Sequence, residues 1–156
     1  KTSAVPPGDS VLEGIECMLS SPYEDSHLQA SRALYLIASH DDEARQKIGA
    51  SGMLVPRLIE MAAQQGLKMR RSMIQVLALT LLDDSASSLA WKSGLGELLF
   101  ELLQDTDLTV LNHSLMSLSN ASRGAKHCQM ALALDEEVGL AKYLCELGIT
   151  RLEQGL

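Results

Sequence analysis

The chain has 156 residues, 46% of them apolar and 21% charged, which is enough for one domain with a buried core and is not a disordered composition. Thirteen Lys and Arg against twenty Asp and Glu give a net charge of −7, and aromatics make up only 3%. A polyanion partner is disfavoured by that charge and stacking platforms are scarce, so nucleic acid is excluded as the partner class.

Residues 1–9, with Pro6-Pro7-Gly8, read as a flexible lead-in. Val11, Leu12, Ile15, Met18 and Leu19 then recur at three- and four-residue spacing, which predicts a helix with one buried stripe. Ser10 and Glu13 have capping-box spacing at its start. After the polar break Ser20-Ser21-Pro22-Tyr23 a longer helix is predicted over about 25–39, with Ala30, Ala33, Leu34 and Ile37 inward and Ser26 with Gln29 as its capping pair. A short helix follows at 41–50, opened by Asp41-Asp42 and closed by Ser51-Gly52.

The pattern then begins again. Val55, Leu58, Ile59, Met61 and Ala62 form a second stripe, with Pro56 in the first turn, where its missing N–H does little harm. A long helix is predicted at 67–82, with Met73, Val76, Leu77 and Thr80 inward, and a short one at 84–92 behind Asp83-Asp84. Past Ser93-Gly94 come Leu95, Leu98, Leu99, Leu102 and Leu103, the break Gln104-Asp105-Thr106, a long helix at 107–122 and a short one at 124–133. Ala141, Leu144 and Cys145 start a fourth copy. Met18, Met61 and Leu102 are offset by 43 and 41 residues, as are Leu34, Leu77 and Leu118. The expected organisation is a lead-in at 1–9 and one repeat domain at 10–156, with units of about 10–51, 52–93 and 94–134 and a partial unit at 135–156. No segment has the alternation of a strand.

On this pattern the sequence resembles the armadillo repeat family, with HEAT repeats as its near neighbour. Residues 10–52 are similar to one full unit in shifted phase, GMLVPRLIEM (52–61) and GLGELLFELL (94–103) resemble the family's second helix, and VLNHSLMSLSNAS (110–122) its third. The resemblance covers about residues 10–147. It implies an all-α, right-handed superhelix of three three-helix repeats plus a partial fourth, whose third helices line a concave groove. In the importin-alpha branch each third helix carries a Trp and an Asn that hold a basic peptide. Carried over, the Trp places hold Arg32, Gln75 and Met116, and the Asn places Leu36, Leu79 and Asn120. Only Asn120 matches, so the full peptide-gripping ladder of that branch is missing.

Helical geometry nevertheless lists what the groove presents: Arg32, Tyr35 and Leu36 from the first long helix, with Asp25, Leu28 and Gln29; Lys68, Arg71, Gln75 and Leu79 from the second, with Ser72; and Asn112, His113, Met116 and Asn120 from the third, with Thr109 and Ser119. Leu36, Leu79 and Met116 are apolar anchors in a polar setting, the pattern of a protein- or peptide-binding surface. Lys68, Arg70 and Arg71 are the only basic cluster, open either to pairing with nearby acids or to an acidic partner.

Chemistry is absent from the pattern. His27, His40, His113 and His127 have no His or Cys partner at ligand spacing, which argues against a metal. Cys17, Cys145 and Trp91 are expected in the core. Neither a G-x-S-x-G elbow nor a P-loop occurs, and Gly94-Leu95-Gly96 lacks the third glycine and the strand of a dinucleotide site. No apolar run reaches the roughly 18 residues of a membrane span. Three cysteines without regular spacing fit a reducing, cytoplasmic compartment, with the nucleus also open. The expected function is a non-enzymatic scaffold or adaptor binding a protein or peptide along the groove, without cofactor, metal or membrane insertion. The alternative is a regulatory module of a larger enzyme-containing protein. Val11, Leu12 and Ile15 at one end and Leu140, Leu144, Leu147 and Ile149 at the other lack an obvious cover, so self-association, or continuation of the stack through the end faces, is expected.

Overall fold

The computed structural model describes residues 7–64 and 66–123, together with residues 126, 139, 142 and 146. Among the described residues there are eight helices and no strand: α1 Pro7–Ser20, α2 Glu24–His40, α3 Asp42–Ala50, α4 Leu54–Gln64, α5 Leu67–Thr80, α6 Asp84–Lys92, α7 Leu95–Leu102 and α8 Leu108–Ala121. The predicted helices at 25–39, 67–82, 84–92 and 107–122 each match one of these within two residues at either end. The short helix expected at 124–133 and the copy at Ala141, Leu144 and Cys145 lie outside the described residues. None of the described helices is long and apolar enough to cross a membrane.

The Asp-rich starts at 41–42 and 83–84 stand where the sequence placed them, and Asp107 opens a third helix in the same way. Asp41, Asp83 and Asp107 are true N-caps: their carboxylates accept from Glu43 and Ala44, from Ala86, and from Val110, at 2.9–3.1 Å. Neither Ser10 nor Ser26 stands at the helix start expected of it. Helix α1 begins at Pro7, whose fixed φ suits a first helical position, and this places Ser10 inside the first turn. Helix α2 begins at Glu24, so Ser26 is also inside, and the Tyr23 N–H is taken by Ser21 Oγ at 3.2 Å. Glu24 and Asp25 in that first turn complement the helix dipole instead. Gly94 exits α6 at φ 93°, in the left-handed region that a side chain would resist.

The three long helices lie side by side, α5 between α2 and α8, while α1 packs on α2, α4 on α5, α7 on α8 and α3 on α6. Their inward stripes hold Ala30, Leu34, Met73, Val76, Leu77, Val110 and Ala121, all fully buried. Small side chains on these stripes permit close approach. Buried hydroxyls on the three helices do not break the packing, because these four bond their own helix: Ser31 to Leu28 O, Thr80 to Val76 O, Ser114 to Val110 O and Ser117 to His113 O, at 2.7–2.9 Å. One expectation fails in α1. Cys17 is exposed, since the buried side of that helix runs through Ile15 and Leu19 and residue 17 turns away from both. Cys145 lies outside the described residues. Trp91 packs half-buried against the core, and its indole N–H donates to Ala121 O at 2.9 Å, joining α6 to the end of α8.

Candidate functional site

The outward faces of α2, α5 and α8 form the surface the sequence singled out. Arg32, Tyr35, Leu36, Lys68, Arg71, Asn112 and Met116 are exposed on it, and Gln75, Leu79, His113 and Asn120 are half-buried. Leu36 is 59% exposed, and Tyr35 and Met116 42% each, large values for apolar or aromatic side chains on helices that are otherwise packed. Leu28, expected on this surface, is buried, because it lies one turn before Ser31 and faces the core with it.

Between α2 and α5 the surface sinks into an open depression of about 240 Å³, lined by Ser31, Arg32, Tyr35, Leu36, Ser72 and Gln75. Five of the residues expected on this surface, Arg32, Tyr35, Leu36, Ser72 and Gln75, therefore meet around one hollow. Ser31 is the lining residue that periodicity missed: its side chain bonds the Leu28 carbonyl and reads as core, yet its edge reaches the hollow. Arg32 makes no hydrogen bond or ion pair with another described residue, and neither does Lys68.

The other polar candidates are engaged within the chain. Arg70 meets Asp105, Nε and Nη2 at 3.1 and 3.0 Å from the same oxygen. Arg71 grips Asp107 with both Nε and Nη2, the Nε contact at 3.0 Å. That hydrogen-bonded guanidinium, together with the Val110 N–H, holds the Asp107 carboxyl down to about 2, and the carboxylate in turn raises Arg71. Of the two readings of the basic cluster, pairing with nearby acids therefore describes Arg70 and Arg71. The starts of α5 and α8 are 41 residues apart in sequence and adjacent in space, which was the sequence signal for this pairing. Asn120 donates to Ala78 O at 2.8 Å, across 42 residues, so the one side chain that matches the importin-type ladder bridges α8 to α5. His113 donates from Nδ1 to Thr109 O at 2.8 Å. Among the described residues, no group of three or more His, Cys, Asp or Glu is placed to hold a metal ion.

Solved structures resemble this arrangement. A designed armadillo repeat protein matches with a TM-score of 0.72 and 20% identity, over 79% of this chain and 52% of that one. An engineered protein matches at 0.74 and 25%, over 90% of this chain and 59% of that one. The chain has the armadillo-like repeat fold. A further designed armadillo repeat protein, solved in complex with the peptide (KR)4, matches at 0.70 and 18%, over 81% of this chain and 56% of that one. This armadillo-like chain thus spans between half and three fifths of the length of those three. No protein-family model matches the sequence, and no curated protein matches it either.

Proposed function

We propose that the protein is a non-enzymatic interaction scaffold or adaptor, cytoplasmic, that binds a peptide or helical segment of a protein partner along α2, α5 and α8. The segment crosses Arg32, Gln75 and Met116. The observation that carries this reading is the set of open apolar side chains on one face of otherwise well-packed helices: Tyr35 and Leu36 line the depression, and Met116, with Leu79 half-buried, lies on the same face beyond it. Such anchors supply affinity when covered, and polar neighbours fix register. The likeness to armadillo repeat proteins designed for modular peptide recognition supports it. In the same reading the repeat units are 10–51, 52–93 and 94–134, with a partial unit at 135–156.

The test is capture of partners from cell extract by wild type and by the triple variant Arg32→Ala, Gln75→Ala, Met116→Ala. All three side chains are at least partly exposed, so the variant should keep its fold, which circular dichroism checks. Proteins held by wild type should be lost; equal retention by the folded variant refutes the groove.

A second reading, a regulatory module of a larger enzyme-containing protein that docks by an end face, rests on a different observation. Val11, Leu12, Ile37, Asp41, Glu43, Ala44 and Lys47 line a depression of about 300 Å³. At the 43-residue offset, Val11, Leu12 and Ile37 correspond to Leu54, Val55 and Thr80. Those three are fully buried, whereas Val11 is 49% exposed and Leu12 and Ile37 are half-buried. Positions covered in one layer are thus open in the one before it. A partner, or a second copy, displaced by Val11→Glu with Ala44→Glu but retained by the groove variant would select this reading over the first.

A further inference from the structure

The charges around the depression narrow the chemistry of the partner. Acidic side chains outnumber basic ones by twenty to thirteen over the whole chain. The face of α2, α5 and α8 departs from that average. Helix α8 carries no Asp, Glu, Lys or Arg between Leu108 and Ala121. Asp105 and Asp107 at its start are neutralised by Arg70 and Arg71. The acids left on the three helices, Glu24 and Asp25, sit in the first turn of α2, where the helix dipole accounts for them. Seven residues separate Asp25 from Arg32, roughly 10 Å along the helix.

Arg32 is then a guanidinium on the wall of a hollow, exposed, and without a partner among the described residues. It has five donors in a planar fork, and the group that matches the fork is a carboxylate held by two parallel hydrogen bonds. One turn further along α2, Leu36 offers an apolar surface, with Tyr35 beside it. Arg32 and Leu36 are thus about 6 Å apart along the helix axis. A stretch of two or three peptide residues, at roughly 3.3 Å each, is long enough to meet both while the segment crosses from α2 to α5.

We propose that the depression between α2 and α5 receives a Glu or Asp side chain of an extended peptide, its carboxylate on Arg32, with a nearby apolar residue of the same peptide resting on Tyr35 and Leu36. The ligand class is therefore opposite in charge to the (KR)4 peptide of the designed neighbour. The proposal rests on the groove reading above and adds the sign of the charge and the residue that reads it.

The experiment is selection of ten-residue peptides from a randomised library on folded wild type and on the Arg32→Glu variant. Wild type should enrich peptides with Glu or Asp close to an apolar residue. Arg32→Glu should lose that enrichment and favour Lys or Arg at the acidic position. A synthetic peptide from the wild-type pool should bind Arg32→Ala about fivefold more weakly, the upper end for a partly exposed ion pair, and changing its acid to the amide should lose a similar factor. Enrichment of basic or neutral residues at that position on wild type overturns the proposal and leaves the groove standing. Acidic enrichment that survives Arg32→Glu also overturns it, since the acid is then read elsewhere. An absence of any enriched peptide on wild type overturns both.

Discussion

Replacing Gly49 by Ala should destabilise the protein, against the usual direction of a Gly→Ala change within a helix. Gly49 is buried in α3, where that helix crosses α6. A Cβ at this position would lie 2.5 Å from Asp83 Oδ2, 2.9 Å from Ala86 Cβ and 3.2 Å from Ala86 N. These atoms are the N-cap of α6, in which Asp83 accepts from the Ala86 N–H at 3.0 Å. Helix propensity favours Ala by about 1 kcal/mol. Displacing the cap costs about 1 kcal/mol, and forcing α3 from α6 adds about 1–3 kcal/mol of overpacking. The net is a loss of about 1–3 kcal/mol, or a fall of roughly 2–4 °C in melting midpoint for each kcal/mol in a chain of this size. Gly14 is the internal control: it lies within α1 with nothing inside 4 Å of an added Cβ, so Gly14→Ala should be neutral or stabilising. Thermal melts by circular dichroism compare the two. A Gly49→Ala midpoint at or above wild type would refute the claimed closeness of α3 and α6.

Three further outcomes follow from the bonds between layers. Asp107 is held down to about 2 against an ordinary 3.8, so its contribution to stability is fully present above about pH 4 and is lost as pH falls through about 2; the gap in urea midpoint between wild type and Asp107→Asn should stay constant from pH 7 to about 4 and close below it. Asn120→Leu removes the donor to Ala78 O and leaves that carbonyl short of a partner, so unfolding in urea should show a loss of about 1 kcal/mol. Trp91→Phe removes the bond to Ala121 O together with part of a packed ring and should cost about 1–2 kcal/mol; a midpoint equal to wild type would detach the indole N–H from the stability of the α6–α8 junction.

What could be read from the sequence was whatever the repeat period expresses. Leu34 and Leu77, paired by the 43-residue offset, are both fully buried, and the groove residues Arg32, Tyr35, Leu36 and Gln75 converge on one hollow as helical spacing required. The misreadings came from contacts that a period does not encode. Ser10 and Ser26 have the right spacing for capping boxes, but Pro7 and Glu24 begin their helices earlier. Cys17 follows Ile15 by two residues, and two residues along a helix is a turn of about 200°, onto the other side. The sequence left Arg71 open between nearby acids and a partner, because Asp107, which it grips, is 36 residues away.

The fastening of α5 to α8 has a mechanical corollary. Arg70 and Arg71 secure one end of the pair through Asp105 and Asp107, and Asn120 secures the other through Ala78. Arg71 and Ala78 stand seven residues apart, about 10 Å of helix. Two latches at that separation oppose both sliding and splaying, so the two rods behave as a single stiff slat. The seam on the other side of α5, against α2, is the more yielding of the two, for Ala30, Leu34, Met73 and Leu77 on those helices are greasy, undirected side chains buried in the core.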